Sequence, residues 1–404
     1  MKKSIKDLTS LQGKTVLVRV DFNVPLKNGE IRDDNRIVQA LPTIKHLIEN
    51  KARVVLFSHL GKINHKNPEQ AELDKQKNNM APVAKRLSEL LDLDVIYVPS
   101  TRSEELTNTV KNLKDGDVLL MQNTRYEKGE QKNDSELAAY WASLCDVYVM
   151  DAFGSAHRAH ASTYGVPEIL NKEGKETAIG LLVEKEIKSL ERCVNPDERP
   201  YVAVLGGLKV SDKIKVIEAL IKKTDKIIIS GAMAYTFFKA LGYETGTSPV
   251  ELDQVDFAKR CLEEGKGKIV LPVDVVVTNA FDNPTEERTV KVNAVPEGFM
   301  GMDIGPETRE LFKKELQGAK IVFWNGPAGV FEKDQYSKGT IAVCEAITGL
   351  KDAFTVIGGG DSAAAAAQFG YKDKFSHVST GGGASLEMIE NDGHLPGIDI
   401  ISSN

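Results

Sequence analysis

The sequence predicts an α/β protein with two parallel-sheet lobes, because of its length and its repeated pattern of short apolar strands and amphipathic helices. With 404 residues, the chain is longer than one hydrophobic core usually supports, so two domains are expected. Apolar runs rich in β-branched residues alternate with helical stretches, which is typical of βαβ units and α/β/α lobes. The predicted strands are 15–21, 53–58, 118–123 and 146–151 in the first half, and 201–205, 226–230, 268–272, 320–324 and 354–357 in the second.

Two helices help to define the domain organisation. Ile37, Leu41, Ile44 and Ile48 have helical spacing, and residues that favour a helix N-terminus, 33–35, precede them. Residues 180–200 form a charged helical stretch that ends in a proline-containing turn, which suits a connecting helix better than a flexible linker. We therefore expect two Rossmann-like lobes joined by a hinge helix, with a cleft between them. The predicted segments are an N-terminal domain (1–172), a hinge helix (173–190), a C-terminal domain (191–390) and a tail (391–404).

Composition excludes several classes of function. The chain has 52 Lys and Arg residues against 58 Asp and Glu residues, and a net charge of -6 offers no general attraction to nucleic acid or acidic membranes. The N-terminal lysines are not followed by an apolar run and no segment has the length of a membrane span, so a cytoplasmic protein is expected. Four cysteines without metal-ligand spacing are predicted to be small core residues: Cys145, Cys193, Cys261 and Cys344.

Basic and polar residues follow the predicted strands of the first half. Ligands of open parallel sheets lie beyond the carboxyl ends of the strands, so these positions are candidates for a binding site. The residues at or near this rim are Asp21, Asn23, Arg36, His59, Arg125, His157, Arg158 and His160. Arginines and histidines beside Asp and Asn suit a small, highly anionic ligand that also carries a hydroxyl group. The alternative for each arginine is a structural ion pair with a carboxylate.

The second half has glycine-rich turns that lead into predicted helices. Such turns present backbone N–H groups and the positive end of a helix dipole to phosphate groups. The turns lie at 206–213, 324–332, 357–366 and 379–385. Lys209 and Lys213 are four residues apart at the expected start of a helix, where both can point toward a terminal phosphate. These features favour a nucleotide as the ligand.

One of these turns also resembles a dinucleotide-binding fingerprint. Residues 358–363 fit the pattern G-x-G-x-x-A after a strand, but the acidic residue expected about 20 positions later is absent. Asp361 inside the turn would repel a pyrophosphate unless a cation lay between them, so we interpret it as a ligand of Mg²⁺. A nicotinamide-dependent dehydrogenase is therefore disfavoured. Neither the P-loop motif nor the protein-kinase catalytic loop occurs.

Considered together, these motifs resemble the phosphoglycerate kinase family over nearly the whole chain. The segments that carry the resemblance, in order, are RVDFNVP, SHLG, DAFGSAHRAHAST, GGLKVSDKI, WNGP, GGGD and STGGGASLE. The resemblance implies an enzyme that transfers a phosphoryl group between 1,3-bisphosphoglycerate and Mg-ADP, giving 3-phosphoglycerate and ATP. It also implies a monomer without nucleic-acid or membrane partners, and a tail that returns to the N-terminal lobe.

The resemblance assigns site residues to both lobes. The implied 3-phosphoglycerate ligands are Asp21, Phe22, Asn23, Arg36, His59, Leu60, Gly61, Lys62, Arg125 and Arg158. The implied nucleotide ligands are Gly207, Lys213, Gly301, Asn325, Glu332, Gly358, Gly359, Gly360, Asp361 and Ser362, with Asp361 also toward the metal. The implied catalytic residues are Arg36, Lys209, Gly359 and Gly382. Lys62 departs from the arginine that is usual after SHLG, and it keeps the charge but lacks the bidentate fork.

The expected mechanism is in-line transfer with little covalent chemistry from the protein. Catalysis of this kind depends on positioning and on neutralising charge at the transferring group. We expect Arg36 from one lobe and Lys209 from the other to meet that group after hinge closure, which also excludes water. A catalytically silent protein that binds both ligands is the remaining alternative.

Overall fold

The computed structural model describes residues 1–404 and divides the chain into two compact units. The first unit comprises Met1–Ile187 together with His394–Asn404, and the second comprises Lys188–Gly393. The division falls within a single helix, Leu181–Val194. None of the helices combines the length and the apolar composition that a bilayer crossing would require.

The first unit is built on a six-stranded parallel sheet. Its elements, in chain order, are β1 (Thr15–Arg19), β2 (Leu26–Lys27), β3 (Glu30–Ile31), α1 (Asn35–Glu49), β4 (Arg53–Phe57), α2 (Pro68–Lys77), α3 (Ala81–Leu91), β5 (Ile96–Val98), α4 (Glu104–Lys111), β6 (Val118–Met121), α5 (Ser135–Ala142), β7 (Val147–Met150), α6 (Val166–Lys172) and β8 (Glu176–Ile179). The helix that follows, α7 (Leu181–Val194), contains the division between the two units. The strand order is β5-β6-β4-β1-β7-β8. Val16 of β1 pairs with Val54 of β4 and Val147 of β7, so β1 is a central strand.

The four strands predicted for the first half are all present, and each ends one or two residues before the predicted limit. The sheet has two further strands, β5 and β8, which lie at its edges. Both are short, at three and four residues, so neither produces a strong apolar run. Because β8 occupies part of the segment 173–180, the connecting helix begins at Leu181 rather than at residue 173.

Helix α1 has its predicted position and a slightly rotated apolar face. Ile37 and Ile44 are buried as expected, whereas Leu41 and Ile48 are only partly buried. Asp34 is the residue before the helix, but its side chain caps no backbone N–H. It forms an ion pair with Arg86 at 2.9 Å instead. The tertiary partner of Asp34 therefore replaces the local cap that its sequence position favours.

The second unit contains a second six-stranded parallel sheet and a small antiparallel sheet. Its elements are β9 (Tyr201–Leu205), α8 (Ile214–Lys223), β10 (Lys226–Ile229), α9 (Ala234–Ala240), α10 (Val255–Glu264), β11 (Ile269–Val270), β12 (Asp274–Thr278), β13 (Glu287–Lys291), β14 (Met300–Ile304), α11 (Pro306–Leu316), β15 (Ile321–Asn325), α12 (Lys338–Thr348), β16 (Phe354–Ile357), α13 (Gly360–Gln368), β17 (His377–Val378) and α14 (Gly382–Glu390). The parallel order is β11-β10-β9-β15-β16-β17, and the antiparallel order is β13-β12-β14.

All five strands predicted for the second half are present in the parallel sheet, so the prediction of two parallel-sheet lobes is confirmed. The antiparallel sheet was not predicted. Its strand β12 carries the β-branched run 275–278, which is an ordinary strand signal. Strand β13 is mostly exposed, so it has no apolar pattern that the sequence alone could reveal.

The C-terminal residues complete the first unit. The tail contains the short helix α15 (Pro396–Asp399). The N–H of Lys3 donates to the carbonyl of Ser402 at 2.9 Å, and Asn171 Nδ2 donates to the carbonyl of Ile400 at 2.6 Å. The two ends of the chain are thus held together within one unit.

A buried carboxylate holds the N-terminus of α7. Oδ1 of Asp151 accepts the N–H groups of Leu182 and Val183 at 3.1 and 3.3 Å. Thr43 Oγ1 accepts the N–H of Leu181 at 2.9 Å, so these three N–H groups at the start of the helix have side-chain partners. Asp151 is fully buried, and burial raises the pKa of its carboxyl to about 7, although hydrogen bonds from Thr43 and the two N–H groups oppose the shift.

This buried carboxylate predicts a pH-dependent difference in stability between the wild type and Asp151→Asn. The pKa of Asp151 is about 7 when folded but close to the model-peptide value of about 3.9 when unfolded. Between these values the unfolded state releases the proton first, so the wild type loses stability as pH rises while the amide does not. Relative to that of the variant, the free energy of unfolding of the wild type should fall by up to about 4 kcal/mol between pH 4 and pH 8.

The measurement is denaturant unfolding at several pH values, followed by the fluorescence of Trp141 in a Trp324→Phe background. These are the two tryptophans of the chain, and Trp141 lies in the first unit. Asp92→Asn is the matched control, because Asp92 is exposed and has a positive φ that asparagine tolerates. Parallel pH profiles for the wild type and Asp151→Asn would contradict the prediction.

Candidate active site

The first candidate site lies in the first unit, at the carboxyl ends of β1, β4 and β6. Asp21 follows β1, and both of its carboxylate oxygens accept from Arg36 Nη1 at 2.9 Å. Oδ1 of Asp21 also accepts the N–H of Asn23 at 3.2 Å. Asp21 is buried, whereas the side chain of Arg36 is 39% exposed. This ion pair orients Arg36 while leaving part of its guanidinium accessible.

A second set of hydrogen bonds joins the loops after β1, β4 and β6. Asn23 Oδ1 accepts the N–H of Gly61 at 2.8 Å, and Arg125 Nη1 donates to the carbonyl of Gly61 at 2.7 Å. Gly61 has φ +59°, and a Cβ there would lie 2.3 Å from Asn78 Oδ1. A side chain at this position would therefore collide with Asn78 and strain the backbone.

Phe22 and Leu60 contribute to this site through the backbone. Both side chains are buried in the core of the first unit, at 0% and 1% exposure. The N–H of Phe22 donates to Ser58 Oγ at 2.8 Å, and the N–H of Leu60 donates to Asn123 Oδ1 at 3.0 Å. Each residue thus anchors its loop through the backbone, and the residues next to it in the sequence, Asn23 and His59, carry the polar side chains.

Lys62 and Arg158 have exposed side chains at the same group of loops. The side chain of neither residue forms a hydrogen bond within the chain. The position of Arg158 is still informative, because its charge lies close enough to Arg125 to lower the pKa of that guanidinium. The exposed cations are therefore available to an anion from solution.

The cluster is strongly positive and partly buried. Burial is the main cause of the lowered pKa of Arg125, and the charge of Arg19 adds to it. Nε of Arg125 is enclosed and has no hydrogen-bond partner. Burial also lowers the pKa of His160 to about 4, and the nearby arginines contribute while Glu130 opposes the shift. Such a cluster would gain stability from a bound anion.

Sequence reasoning missed Arg19 and Glu130 in this cluster. Arg19 is the last residue of β1 and is 1% exposed, while Glu130 is also 1% exposed and lies in the loop after β6. A charged residue that ends an otherwise apolar strand was the available signal for Arg19. No comparable signal marks Glu130, because the surrounding residues are polar.

The second candidate site lies in the second unit and includes a cavity of about 200 Å³. Four residues expected at the nucleotide site line it: Gly207, Gly301, Glu332 and Asp361. The apolar part of the wall, which sequence reasoning did not identify, includes Leu208, Tyr235, Phe238, Met302, Pro327 and Val330. A Cβ on Gly301 would overlap the ring of Tyr235, 1.7 Å from its hydroxyl, so glycine is needed for this wall to form.

Two glycine-rich helix N-termini meet in the second unit. Helix α13 begins at Gly360 and α14 begins at Gly382. A Cβ on Gly382 would lie 2.9 Å from the Cα of Gly359, so the two backbones are in contact. Gly359 has φ +137°, which side-chain-bearing residues rarely adopt. The N–H groups and dipoles of both helices therefore converge in a region suited to phosphate.

Lys213 and Asn325 link the neighbouring turns. Lys213 Nζ donates to the carbonyl oxygens of Gly206 and Asn325, and Asn325 Nδ2 donates to the carbonyl of Gly358. Burial lowers the pKa of Lys213 to about 8, while Asp212 and Asp361 oppose the shift. The buried hydroxyl of Ser362 accepts the N–H of Gly326 at 2.6 Å, so it joins α13 to the end of β15.

The expected arrangement of Lys209 and Lys213 on one helix is wrong. Helix α8 begins only at Ile214, and Lys213 is the residue before it. Lys209 lies in the preceding turn with an exposed side chain. The four-residue spacing therefore does not place the two lysines on one helical face, and Lys209 has no contact that fixes its direction.

The metal prediction rests on a single carboxylate. No group of three or more His, Cys, Asp or Glu side chains is arranged to hold a metal ion. Asp361 is exposed in the first turn of α13 and lines the cavity. Mg²⁺ is commonly bound by one or two carboxylates together with substrate phosphates and waters. The residues present therefore suit an ion that arrives with a nucleotide, rather than a resident metal centre.

The cysteines are core residues, as the sequence predicts. All four are free and buried. Burial raises the pKa of each thiol to about 12. None is suited to act as a nucleophile near neutral pH.

Comparison with known proteins identifies the family. A family model described as phosphoglycerate kinase matches residues 5–392. The chain is 57% identical over 405 residues to a phosphoglycerate kinase of Enterococcus faecalis, covering 99% of each chain. It is 55% identical over 407 residues to one of Fusobacterium nucleatum, covering 100% of each.

Solved structures agree with this relationship. The phosphoglycerate kinase of Coxiella burnetii superimposes with a TM-score of 0.87 at 39% identity, covering 99% of this chain and 98% of that one. The enzyme of Pyrococcus horikoshii gives a TM-score of 0.84 at 33% identity, with the same coverage. The sequence, the parallel-sheet topology and these full-length matches lead to one conclusion: the chain belongs to the phosphoglycerate kinase family.

Proposed function

We propose that this chain is a glycolytic phosphotransferase that reversibly transfers the acyl phosphoryl group of 1,3-bisphosphoglycerate to Mg-ADP, giving 3-phosphoglycerate and ATP. The observation that carries the proposal is the match to the family over nearly the whole length of the chain. The two anion-binding arrangements, one in each unit, support it. The catalytically silent alternative remains the outcome to be tested.

The proposed triose site is the cation cluster of the first unit. Arg36, Arg125 and Arg158 supply guanidinium groups for phosphate and carboxylate oxygens. Asp21 and Asn23 lie beside them and can accept from or donate to the hydroxyl of phosphoglycerate. Lys62 supplies a further charge, and as an ammonium it is expected to hold phosphate without the bidentate geometry of arginine.

The proposed nucleotide site is in the second unit. The apolar wall formed by residues such as Tyr235 and Val330 suits a base, and Glu332, which also lines the cavity, suits a ribose hydroxyl. The converging N-termini of α13 and α14, together with Lys213, suit the phosphates. Bound Mg²⁺ would supply charge neutralisation at the phosphates, and Asp361 is the residue proposed to hold it.

Direct transfer between two bound substrates requires them to meet in line. We therefore propose hinge bending about α7, the helix in which the division between the units falls. Arg36 would contact the transferring group from the triose side and Lys209 from the nucleotide side, while amides near Gly359 and Gly382 stabilise its charge. Exclusion of water would protect the acyl phosphate from hydrolysis. Since one chain carries both proposed sites, we propose that the protein is a monomer. We also propose that it acts in glycolysis in the cytoplasm.

A coupled assay of ATP consumption with 3-phosphoglycerate and Mg²⁺ tests the proposed clamp. Arg36→Ala and Lys209→Ala should each lower kcat on the order of 100-fold or more, because each removes a cation that would stabilise the negative charge of the transferring phosphoryl group. Affinity for the substrate on the opposite unit should change little. The matched controls are Arg32→Ala and Lys215→Ala, which remove nearby exposed charges.

Either of two results would count against this assignment. If the wild type binds both ligands without turnover, the protein is catalytically silent. If the controls lose as much activity as the test variants, the effect is one of general charge.

The lowered pKa of Lys213 predicts a pH-dependent affinity for ADP. Its pKa is about 8 in the free protein, and a bound phosphate favours the charged ammonium. Binding should therefore take up a proton above pH 8, and the affinity should fall by at most about tenfold per pH unit as pH rises further. Lys213→Met should bind more weakly but lose this pH dependence.

Isothermal titration with ADP at pH 7, 8 and 9, in buffers of different ionisation enthalpy, measures both the affinity and the proton uptake. Lys209→Met is the control, since Lys209 is exposed and the slope should remain. A slope that persists in Lys213→Met would rule out Lys213 as its source.

A further inference from the structure

Arg19 is a buried cation whose hydrogen bonds go only to neutral groups. It is 1% exposed at the end of β1. Nε donates to Ser162 Oγ at 2.9 Å, Nη1 donates to the carbonyl of Val20 at 2.5 Å, and a long contact of 3.5 Å joins Nη2 to Ser155 Oγ. Nη2 also faces Nδ1 of His59 at 2.9 Å. No carboxylate lies within ion-pair distance of the guanidinium.

The contact with Arg19 determines which nitrogen of His59 carries hydrogen. A guanidinium is permanently charged and can only donate, so Nδ1 must be the acceptor. A neutral imidazole that accepts at Nδ1 has its hydrogen on Nε2. If the ring were turned over, a C–H group would face the guanidinium and the hydrogen bond would be lost. If the ring were protonated, two cationic N–H groups would face each other.

The surrounding charges also favour the neutral ring. His59 is 7% exposed, and its pKa lies well below the ordinary value, first because of burial and then because of nearby basic groups. These groups come from four segments: Arg19 on β1, Arg36 on α1, Arg125 after β6 and His160 in the loop after β7. All four are basic groups, and each of them lowers the pKa of His59.

The second nitrogen of His59 remains available to a ligand. Nε2 has no partner within the chain, and it is not one of the fully enclosed polar atoms that lack a hydrogen bond. We propose that Arg19 is a positioning residue that holds His59 as the neutral Nε2–H tautomer, so that His59 donates a hydrogen bond to an anionic oxygen of the triose substrate throughout the neutral pH range. This inference rests on the proposed function of the cation cluster as the triose site.

The arrangement has a chemical consequence for binding. A histidine with an ordinary pKa would change its charge between pH 6 and 8, and the affinity for an anion would change with it. A histidine that burial and Arg19 together keep neutral makes the same hydrogen bond across this range. The remaining positive charge at the site then comes from arginine and lysine side chains, which do not titrate there.

The tautomer can be measured directly in the wild-type protein. With ¹⁵N-labelled histidine, a long-range proton–nitrogen correlation spectrum distinguishes the unprotonated nitrogen from the protonated one, and His59→Gln assigns the signals. The expected result is an unprotonated Nδ1 and a protonated Nε2 that do not titrate between pH 5.5 and 8. An Nδ1–H tautomer, an exchanging mixture or an imidazolium in this range would overturn the proposal.

A variant tests the role of Arg19. Arg19→Gln keeps side-chain donors but removes the charge and the fork, so His59 should titrate closer to its ordinary pKa and exchange between tautomers. The ratio of the KM for 3-phosphoglycerate of the variant to that of the wild type should rise by roughly threefold or more from pH 6 to pH 8, because only the variant loses an imidazolium charge. The kcat at saturating substrate should vary less with pH.

The control is Arg53→Gln, at the opposite end of neighbouring strand β4, where the arginine pairs with Asp115 at 3.1 Å. This variant should leave the His59 spectrum and the KM ratio unchanged. An Arg19→Gln protein that folds and retains the wild-type tautomer would refute the positioning role. If Arg19→Gln does not fold, the wild-type spectrum still decides the inference. Active wild type with the wrong tautomer defeats only this inference, whereas absence of turnover defeats the proposed function.

Discussion

Burial of both faces of the parallel sheets is the constraint on which the rest of the structure depends. Every residue of strand β9 and of strand β15 is buried, and four of the five residues of β1 are buried as well. A strand covered on both faces has no exposed side on which polar side chains can be placed. Polar and charged groups are therefore displaced to the strand ends. In the first unit this places Asp21, His59 and Arg125 after three adjacent strands.

The two units bind charge in different ways. The first uses side chains, and most of its cations are oriented by neutral or single-carboxylate partners, so net positive charge remains. The second uses backbone N–H groups at the N-termini of α13 and α14, with Lys213 as an additional cation. Guanidinium groups suit the several distinct oxygens of a small acid, whereas helix N-termini suit a phosphate chain. This difference agrees with the proposed assignment of triose and nucleotide to the two units.

Several residues at these sites position the groups that would contact a ligand. Gly382 permits two helix N-termini to touch, and Ser362 ties α13 to the end of β15. Arg19 has the same kind of role beside His59. Such residues contribute to binding by limiting the conformations of the groups that contact a ligand. Their substitution should therefore change the geometry or the protonation of the groups that contact the ligand.

The sequence by itself determined the two parallel sheets, the family and the residues at the strand ends. These follow from local signals: apolar runs, helical spacing and glycine-rich turns do not depend on distant contacts. The edge strand β8 and the exposed strand β13 were not predictable in this way, because short or exposed strands are stabilised by their neighbours rather than by their own pattern.

Only the tertiary structure decided how individual side chains are used. The family resemblance includes Phe22 and Leu60 among the ligand-binding residues, and only the structure shows that both side chains lie in the core. The sequence placed Lys209 on a helix that in fact begins at Ile214. It offered no means of pairing Arg19 with His59, which are 40 residues apart and meet only because β1 and β4 are neighbours in the sheet. Side-chain direction, burial and protonation depend on which distant segments pack together, and a local pattern does not contain that information.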